Sequence, residues 1–391
     1  MNQFKKIIGK LHLWLGLISG LIVFIVSITG CIYVFKDEIQ NFQRKDYIYH
    51  GETNIEQKNT LPISQLESKI TKQVHEKYQL HWVDIPLDKS TSYQFHYYES
   101  NPDGWNYFQQ LVIYKTVYVN PFTGKVLAVI DEKNSFFNIV KFIHWSLLLK
   151  KEWGTYLIGI PTLIFVFMLI SGIILWWPRN KNGVKQRFTF QWSNVKNWKR
   201  KNYDLHNILG FYASIIAFVI SFTGLFYAFT IIKAFVYFTF SSGETTYPDF
   251  SHIKTKAPIE QKSPFTIDKI AAKVEQVYPL VHSYSFDLGH PHLDDHKHPN
   301  FSIYVKELSY AYYKSHSIIF DENSGELLHI HAHNDKNWGE KMTSANYDIH
   351  VGAIGGFVGK CIAFFASLIA ASLPVTGFMI WWGRKRKKVL V

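Results

Sequence analysis

One pattern occurs twice in this chain, each time inside an apolar stretch long enough to cross a bilayer: Leu-His-x2-Leu-Gly-x10-Ser-x-Thr-Gly. The first copy runs from Leu11 and His12 through Gly16 to Ser27, Thr29 and Gly30. The second runs from Leu205 and His206 through Gly210 to Ser221, Thr223 and Gly224, at a constant offset of 194 residues. An ionisable side chain is costly in a membrane and is kept there chiefly for function. A chain with one histidine at the same depth in two such spans is thereby directed to a helical membrane architecture. Those histidines are its first candidate functional residues.

Four apolar blocks stand out among the 391 residues, at about 11–35, 155–178, 205–239 and 354–382. Each exceeds the roughly 18–20 residues that span a hydrocarbon core. Lys5, Lys6 and Lys10 precede the first block, as in a signal peptide. The apolar run is too long for one, and no small-residue cleavage site follows, so a retained helix is expected. The net charge of +12 is concentrated in short segments: three Lys in residues 1–10, eight Lys or Arg in 178–203 and five from Arg384 to Lys388, with no Asp or Glu in any of them. Basic segments flanking spans mark the cytoplasmic side. Both termini and the 178–203 loop are therefore expected inside, and the two long segments outside. Charge placed this way serves topology, so the expected partner is the lipid bilayer and not nucleic acid. Cys31 and Cys361 both fall in apolar spans and read as buried thiols. No CxxC or CxxCH pattern occurs, which excludes a zinc ribbon and covalent haem attachment.

The repetition extends along the chain. Val119-Asn120-Pro121-Phe122-Thr123-Gly124 parallels Phe320-Asp321-Glu322-Asn323-Ser324-Gly325 at an offset of 201, each reading as strand, Gly-containing turn, strand. Helix starts at Pro62-Ile63-Ser64 and Pro264-Phe265-Thr266 are offset by 202, and Trp176-Trp177 and Trp381-Trp382 by 205. The expected fold is a four-helix transmembrane bundle with two outer α+β domains, built as a parallel internal duplication whose pseudo-twofold axis follows the membrane normal. The expected boundaries are span 1 at 1–36, the first outer domain at 37–135, a lead-in helix and span 2 at 136–178, a basic loop at 179–203, span 3 at 204–239, the second outer domain at 240–345, a lead-in helix and span 4 at 346–383, and a tail at 384–391.

Parallel symmetry puts His12 and His206 at equal depth near the inner face. It does the same near the outer face for His144 and His350, which are offset by 206. A single helix from His144 to Trp176 would measure roughly 48 Å, against a core of about 30 Å, so a break is expected near 150–154 and another near 352–356. Two imidazoles facing each other across a bundle suit a six-coordinate haem iron, whereas zinc would need three or four clustered ligands. Two b-type haems are expected, one on His12 and His206 and one on His144 and His350. Gly16 and Gly210 would leave room for the macrocycle, and Lys10, Arg200 and Lys201 would pair with its propionates. The Thr-Gly pairs read equally as helix-packing positions or as parts of a haem pocket. Two other groups carry candidate ligands. The loop from His290 to His298 reads as a metal site or as a solvated loop. His329, His331 and His333 alternate on a strand, where one face would carry all three towards a substrate.

The LHxxLG…SxTG spans, the NPxTGKV-type turn and the closing TG…WWxR blocks resemble PepSY-associated transmembrane proteins over nearly the whole chain. That family includes ferric-siderophore reductases of the bacterial inner membrane that carry haem in four-helix bundles with periplasmic PepSY domains. The resemblance implies reduction of a ferric siderophore, or another ferric chelate, with electrons from a quinol or a cytoplasmic reductase. By motif position it carries ligand roles to His12, His144, His206 and His350. Bis-histidine ligation leaves no open iron position, which favours electron transfer. The absence of GxGxxG and GxxxxGK[ST] leaves the chain with no nucleotide motif of its own. Two other readings stand beside this one: a PepSY-type peptide-binding or partner-binding anchor without redox activity, and a metal or siderophore transporter.

Overall fold

The computed structural model describes residues 3–178, 184–193, 195–250, 253, 266–288, 300–321 and 324–389. The chain divides into two compact units. One contains Met1–Lys36, Ile139–Phe235 and Asn346–Val391, and the other contains Asp37–Asn138 and Val236–Ala345.

The first unit is a helical bundle. Among the described residues, four helices are long and apolar enough to cross a membrane: Gln3–Tyr33, Lys151–Trp176, Trp198–Ala228 and Ala353–Lys385. These are called spans 1 to 4. Spans 1 and 3 each pack on both span 2 and span 4, which places 1 and 3 diagonally across the bundle. In span 1, Ile7, Leu11, Trp14, Ile18 and Leu21 form an exposed stripe at helical spacing, while Ser19, Gly20 and Val23 are buried. With apolar residues on every side, the inward face is distinguished by small and polar groups, because these let helices approach closely. Midway along the bundle, Val23, Phe165, Leu169, Ala217 and Ala370 close into an apolar core.

Both expected breaks are present. A lead-in helix, Phe136–Ser146, ends at Leu147 and Leu148, whose φ values of 54° and 61° put two leucines in the left-handed region, and span 2 begins after Lys150. The first break thus lies slightly earlier than expected. Span 2 then turns back so closely that a side chain at Gly154 would collide with Ser146. The second lead-in helix, Trp338–His350, turns at Gly352 and Gly356, with φ of 78° and 59°, into span 4. Span 3 differs from its reading as one block over 204–239. It stops at Ala228, Phe229 turns extended, and a separate helix covers Thr230–Phe240.

The second unit is an eight-stranded antiparallel sheet, with strands β1 Leu80–Pro86, β2 Tyr93–Ser100, β3 Leu111–Val119, β4 Val126–Asp131, β5 Ser283–Asp287, β6 Asn300–Lys306, β7 Ser315–Asp321 and β8 Leu327–His331. Their order is β4-β3-β2-β1-β5-β6-β7-β8. The two outer segments therefore meet edge to edge, β1 against β5, and hide the edge that each would otherwise expose. That pairing is centred on Asp84 opposite Ser285. Helices Ile63–Gln73 and Thr266–Val277 cover one face. Ile63, Leu66 and Ile70 from the first and Ile270 and Val274 from the second enter one core that also takes Val83, Phe95, Phe286 and Ile303. The two segments thus share one core. The predicted turns recur, with Gly124 at φ 72° and Gly325 at φ 67°. At each, the preceding Asn120 or Asp321 side chain accepts backbone N–H groups of its own turn, as short polar side chains favour.

Candidate functional site

The four histidines predicted from the sequence come together as two facing pairs in the bundle. The ring centres of His12 and His206 are 6.5 Å apart, with planes at 87°. Those of His144 and His350 are 6.0 Å apart, with planes at 62°. From the level of His12 to that of Thr29, which touches His144, is roughly 25 Å of helix.

Each ring rests against a hydroxyl-glycine dipeptide. His12 Nδ1 lies 2.8 Å from Ser171 Oγ, and His206 Nδ1 lies 2.9 Å from Thr376 Oγ1. At the other end His144 Nδ1 approaches Thr29 Oγ1 at 3.2 Å and the Val26 carbonyl at 2.9 Å. His350 Nδ1 lies 3.0 Å from both Thr223 Oγ1 and the Ile220 carbonyl. The direction of these bonds follows from the hydroxyls. Ser171, Thr376, Thr29 and Thr223 each donate to a carbonyl of their own helix. A hydroxyl with its one proton so used can only accept, so each histidine must donate through Nδ1–H. The neutral ring then keeps its lone pair on Nε2. Among the described residues no group hydrogen-bonds any of these four Nε2 atoms. An Nδ1–H held by an oxygen with a free Nε2 is the usual state of a metal-binding histidine.

The glycines supply the space. A side chain at Gly30 would meet His144 Cε1 at 3.1 Å, one at Gly224 would meet His350 Cε1 at 3.2 Å, and one at Gly377 would meet His206 Cε1 at 3.2 Å. Gly172 stands 3.5 Å from His12 Cε1 by the same measure. The Thr-Gly pairs, open between packing and pocket roles on sequence alone, therefore position the histidines. Sequence reasoning assigned no such role to Ser171-Gly172 or Thr376-Gly377, although their offset of 205 was visible in the repeated closing blocks. The Val26 and Ile220 carbonyls carry no sequence signal at all.

An iron held between two imidazoles by bonds of about 2 Å separates their ring centres by roughly 6 Å, which both pairs match. His12 and His206 also line a cavity of about 880 Å³. Gly16 and Gly210 line it too, but Met168 and Leu373 reach over them. The basic groups differ from those expected. Arg200 is held by Asp204 at 3.0 Å, Lys201 lies over the Trp192 ring, and Lys10 is not in the lining. Lys5, Arg187 and Arg384 take that place: Lys5 and Arg384 lie at the ends of spans 1 and 4, and Arg187, on the short helix Val184–Phe188, is held there by its bond to the Trp176 carbonyl. His206 sits in a π-helical turn, Leu205–Leu209, whereas His12 lies in regular α-helix. Such turns are rare and recur at functional positions.

The other candidates stand apart from these pairs. His329 and His331 stack at 6.2 Å on one strand face, and His331 Nε2 is 2.6 Å from Glu340. His333 lies beyond the strand end and does not share that face. Its N–H donates to His316 Nδ1. The loop from His290 to His298 falls outside the described residues. Among the described residues, no group of three or more His, Cys, Asp or Glu is placed to hold a metal ion.

The family model for the PepSY-associated TM region matches residues 10–384, and the chain belongs to that family. With four apolar spans, it is a multi-pass membrane protein. No curated protein matches it.

Proposed function

We propose that this family member is a transmembrane electron-transfer protein that reduces a ferric chelate, with a ferric siderophore as substrate. His12 and His206 would hold one b-type haem, and His144 and His350 a second. Haem held in this way would supply one-electron chemistry. Ser171, Thr376, Thr29 and Thr223 accept the Nδ1 protons, which leaves each Nε2 lone pair available to an iron. Lys5, Arg187 and Arg384 offer positive charge to carboxylates at one end. The apolar core of Val23, Phe165, Leu169, Ala217 and Ala370 excludes water and ions between the pairs, which suits electrons better than a transported solute.

The basic segments at 1–10, 178–203 and 384–388 support an inner-membrane protein with both termini cytoplasmic and the sheet unit periplasmic. We read the two halves as copies of one PepSY-like unit, because seats, turns and lead-in helices recur at near-constant offsets. The observation that carries the proposal is the twofold repetition of a histidine pair whose Nδ1 atoms are all occupied and whose Nε2 atoms are all free. A peptide-binding anchor gives that arrangement no role.

An optical spectrum of detergent-purified protein from haem-replete cells tests it. The expected result is a sharp reduced α-band and about two haems per chain. A colourless preparation would sink the proposal.

A further inference from the structure

A second cavity, of about 370 Å³, lies at the end of the bundle that carries both termini, between the start of span 3 and the end of span 4. Trp198, Lys199, Asn202, Tyr203, Trp382 and Arg384 are among its walls. Trp198 and Trp382 are half exposed at its rim, so it is reached from the membrane surface. Tyr203, Phe378, Ile380 and Arg384 also line the larger His12–His206 cavity, which makes the two spaces neighbours with a common wall.

Asn202 is the informative residue. Only 3% of it is exposed, yet it lines this cavity. Its Nδ2 donates to the Thr376 carbonyl at 3.0 Å, and Thr376 Oγ1 accepts from His206 Nδ1. The Asn202 Oδ1 has no partner among the described residues, which leaves an open acceptor on the residue that lines this cavity, beside a chain of bonds that ends on His206. The first half has nothing comparable: 194 positions earlier, Asn202 and Tyr203 correspond to Ile8 and Gly9. Whatever binds here serves the His206 side alone.

We infer that this cavity binds the ring of a membrane quinol, the electron donor to the His12–His206 end. The inference rests on the electron-transfer reading above. Aromatic walls suit a planar ring, and Asn202 Oδ1 accepts from a ring hydroxyl. The Lys199 and Arg384 cations favour the anion that such a ring becomes when it loses a proton. The lipid tail stays in the bilayer. The quinol gives up two electrons and two protons and becomes the quinone. Two ferric chelates each take one electron, and the protons pass to water at the end of the bundle bearing the termini.

The test uses the full-length haem-loaded protein and an azido derivative of a short-chain ubiquinone as photolabel. Label is expected on peptides covering residues 198–203 and 378–384, displaced by unlabelled quinone and unaffected by excess phosphatidylglycerol. Lys199→Met and Met379→Trp, which touch this cavity and not the larger one, should each cut labelling at least tenfold. The haem content and the dithionite-reduced α-band should stay unchanged. If Met379→Trp fails to assemble, Lys199→Met decides. Label elsewhere, label indifferent to the substitutions, or label displaced by phosphatidylglycerol would overturn the inference. Haem-loaded protein that fails to label refutes the quinol site alone. Colourless protein that still labels at these peptides refutes the haem proposal and leaves the site.

Discussion

The bundle and the sheet each bring equivalent positions of the two halves face to face, and they treat them differently. In the sheet, the central pairing sets Asp84 opposite Ser285, positions 201 residues apart in the repeat, and they close on each other: the Ser285 hydroxyl donates to Asp84 Oδ1. His96 Nε2, 3.0 Å from Asp84 Oδ2, completes the contact. In the bundle the facing residues are identical histidines, held about 6 Å apart with their Nε2 atoms unpaired. Polar groups that satisfy each other hold a fold together, whereas polar groups positioned and left open imply a third participant. The contrast separates a structural junction from a candidate binding site.

The largest effect should come from removing a facing group in the bundle. His206→Ala and His350→Ala are each expected to halve the haem content, read from the reduced α-band against protein concentration. If neither loses haem, the comparison collapses. Next come the glycines that make room for the rings. Gly30→Ala, Gly224→Ala and Gly377→Ala would set a methyl group at 3.1–3.2 Å from a ring carbon and should lower haem occupancy at one site each. Gly172→Ala, at 3.5 Å, should be tolerated, and equal loss in all four variants would show that ring contact is not the cause.

The hydroxyls give a finer division. Ser171→Ala removes the hydroxyl acceptor of His12 Nδ1, so haem affinity at that site should fall about 10–100-fold, as for other lost partners of metal-bound histidines. Thr223→Val leaves the Ile220 carbonyl in place for His350 and should cost less. Competition of haem with a strong binding protein measures both, and a larger loss from Thr223→Val would reverse the assignment.

The smallest effect belongs to the sheet. Burial pushes the Asp84 carboxyl up, but its bonds with His96, Ser285 and Trp82 outweigh this and hold it below the usual carboxylate range. A depressed carboxyl contributes stability that is complete above its unfolded value of about 3.9 and is lost as pH falls through the lower folded value. Asp84→Asn should therefore cost about 0.5–1 kcal/mol at pH 7, because the half-exposed carboxylate is partly screened by solvent, and nothing at strongly acid pH, by denaturant unfolding followed through tryptophan fluorescence. An equal cost at both pH values would mean that the side chain's shape, not its charge, stabilises the junction.

Much of this arrangement could be read from spacing. A histidine at the same place in two apolar repeats, a second pair ahead of two other spans, and helices too long for a bilayer together specify the four-span bundle, the helix breaks and the pairing of His12 with His206 and His144 with His350. Those are consequences of periodicity and length, which a sequence carries directly. It did not carry the break at Phe229, where an apolar run continues while the backbone turns, since hydropathy does not register φ and ψ. The basic groups were misplaced as well: Lys10, Arg200 and Lys201 lie in the right segments, but Lys5 and Arg384 at the span ends and Arg187, bonded to the Trp176 carbonyl, line the cavity instead.

The sequence by itself carried the four apolar spans and the recurring spacing that sets His12 with His206 and His144 with His350. Tertiary structure alone decided that the two outer segments would fuse into one sheet, because an exposed strand edge states its need for a partner without naming it. It alone decided that the Ser-Gly and Thr-Gly pairs would hold the rings. A hydroxyl and a missing side chain acquire that meaning only when a ring from another helix is packed against them.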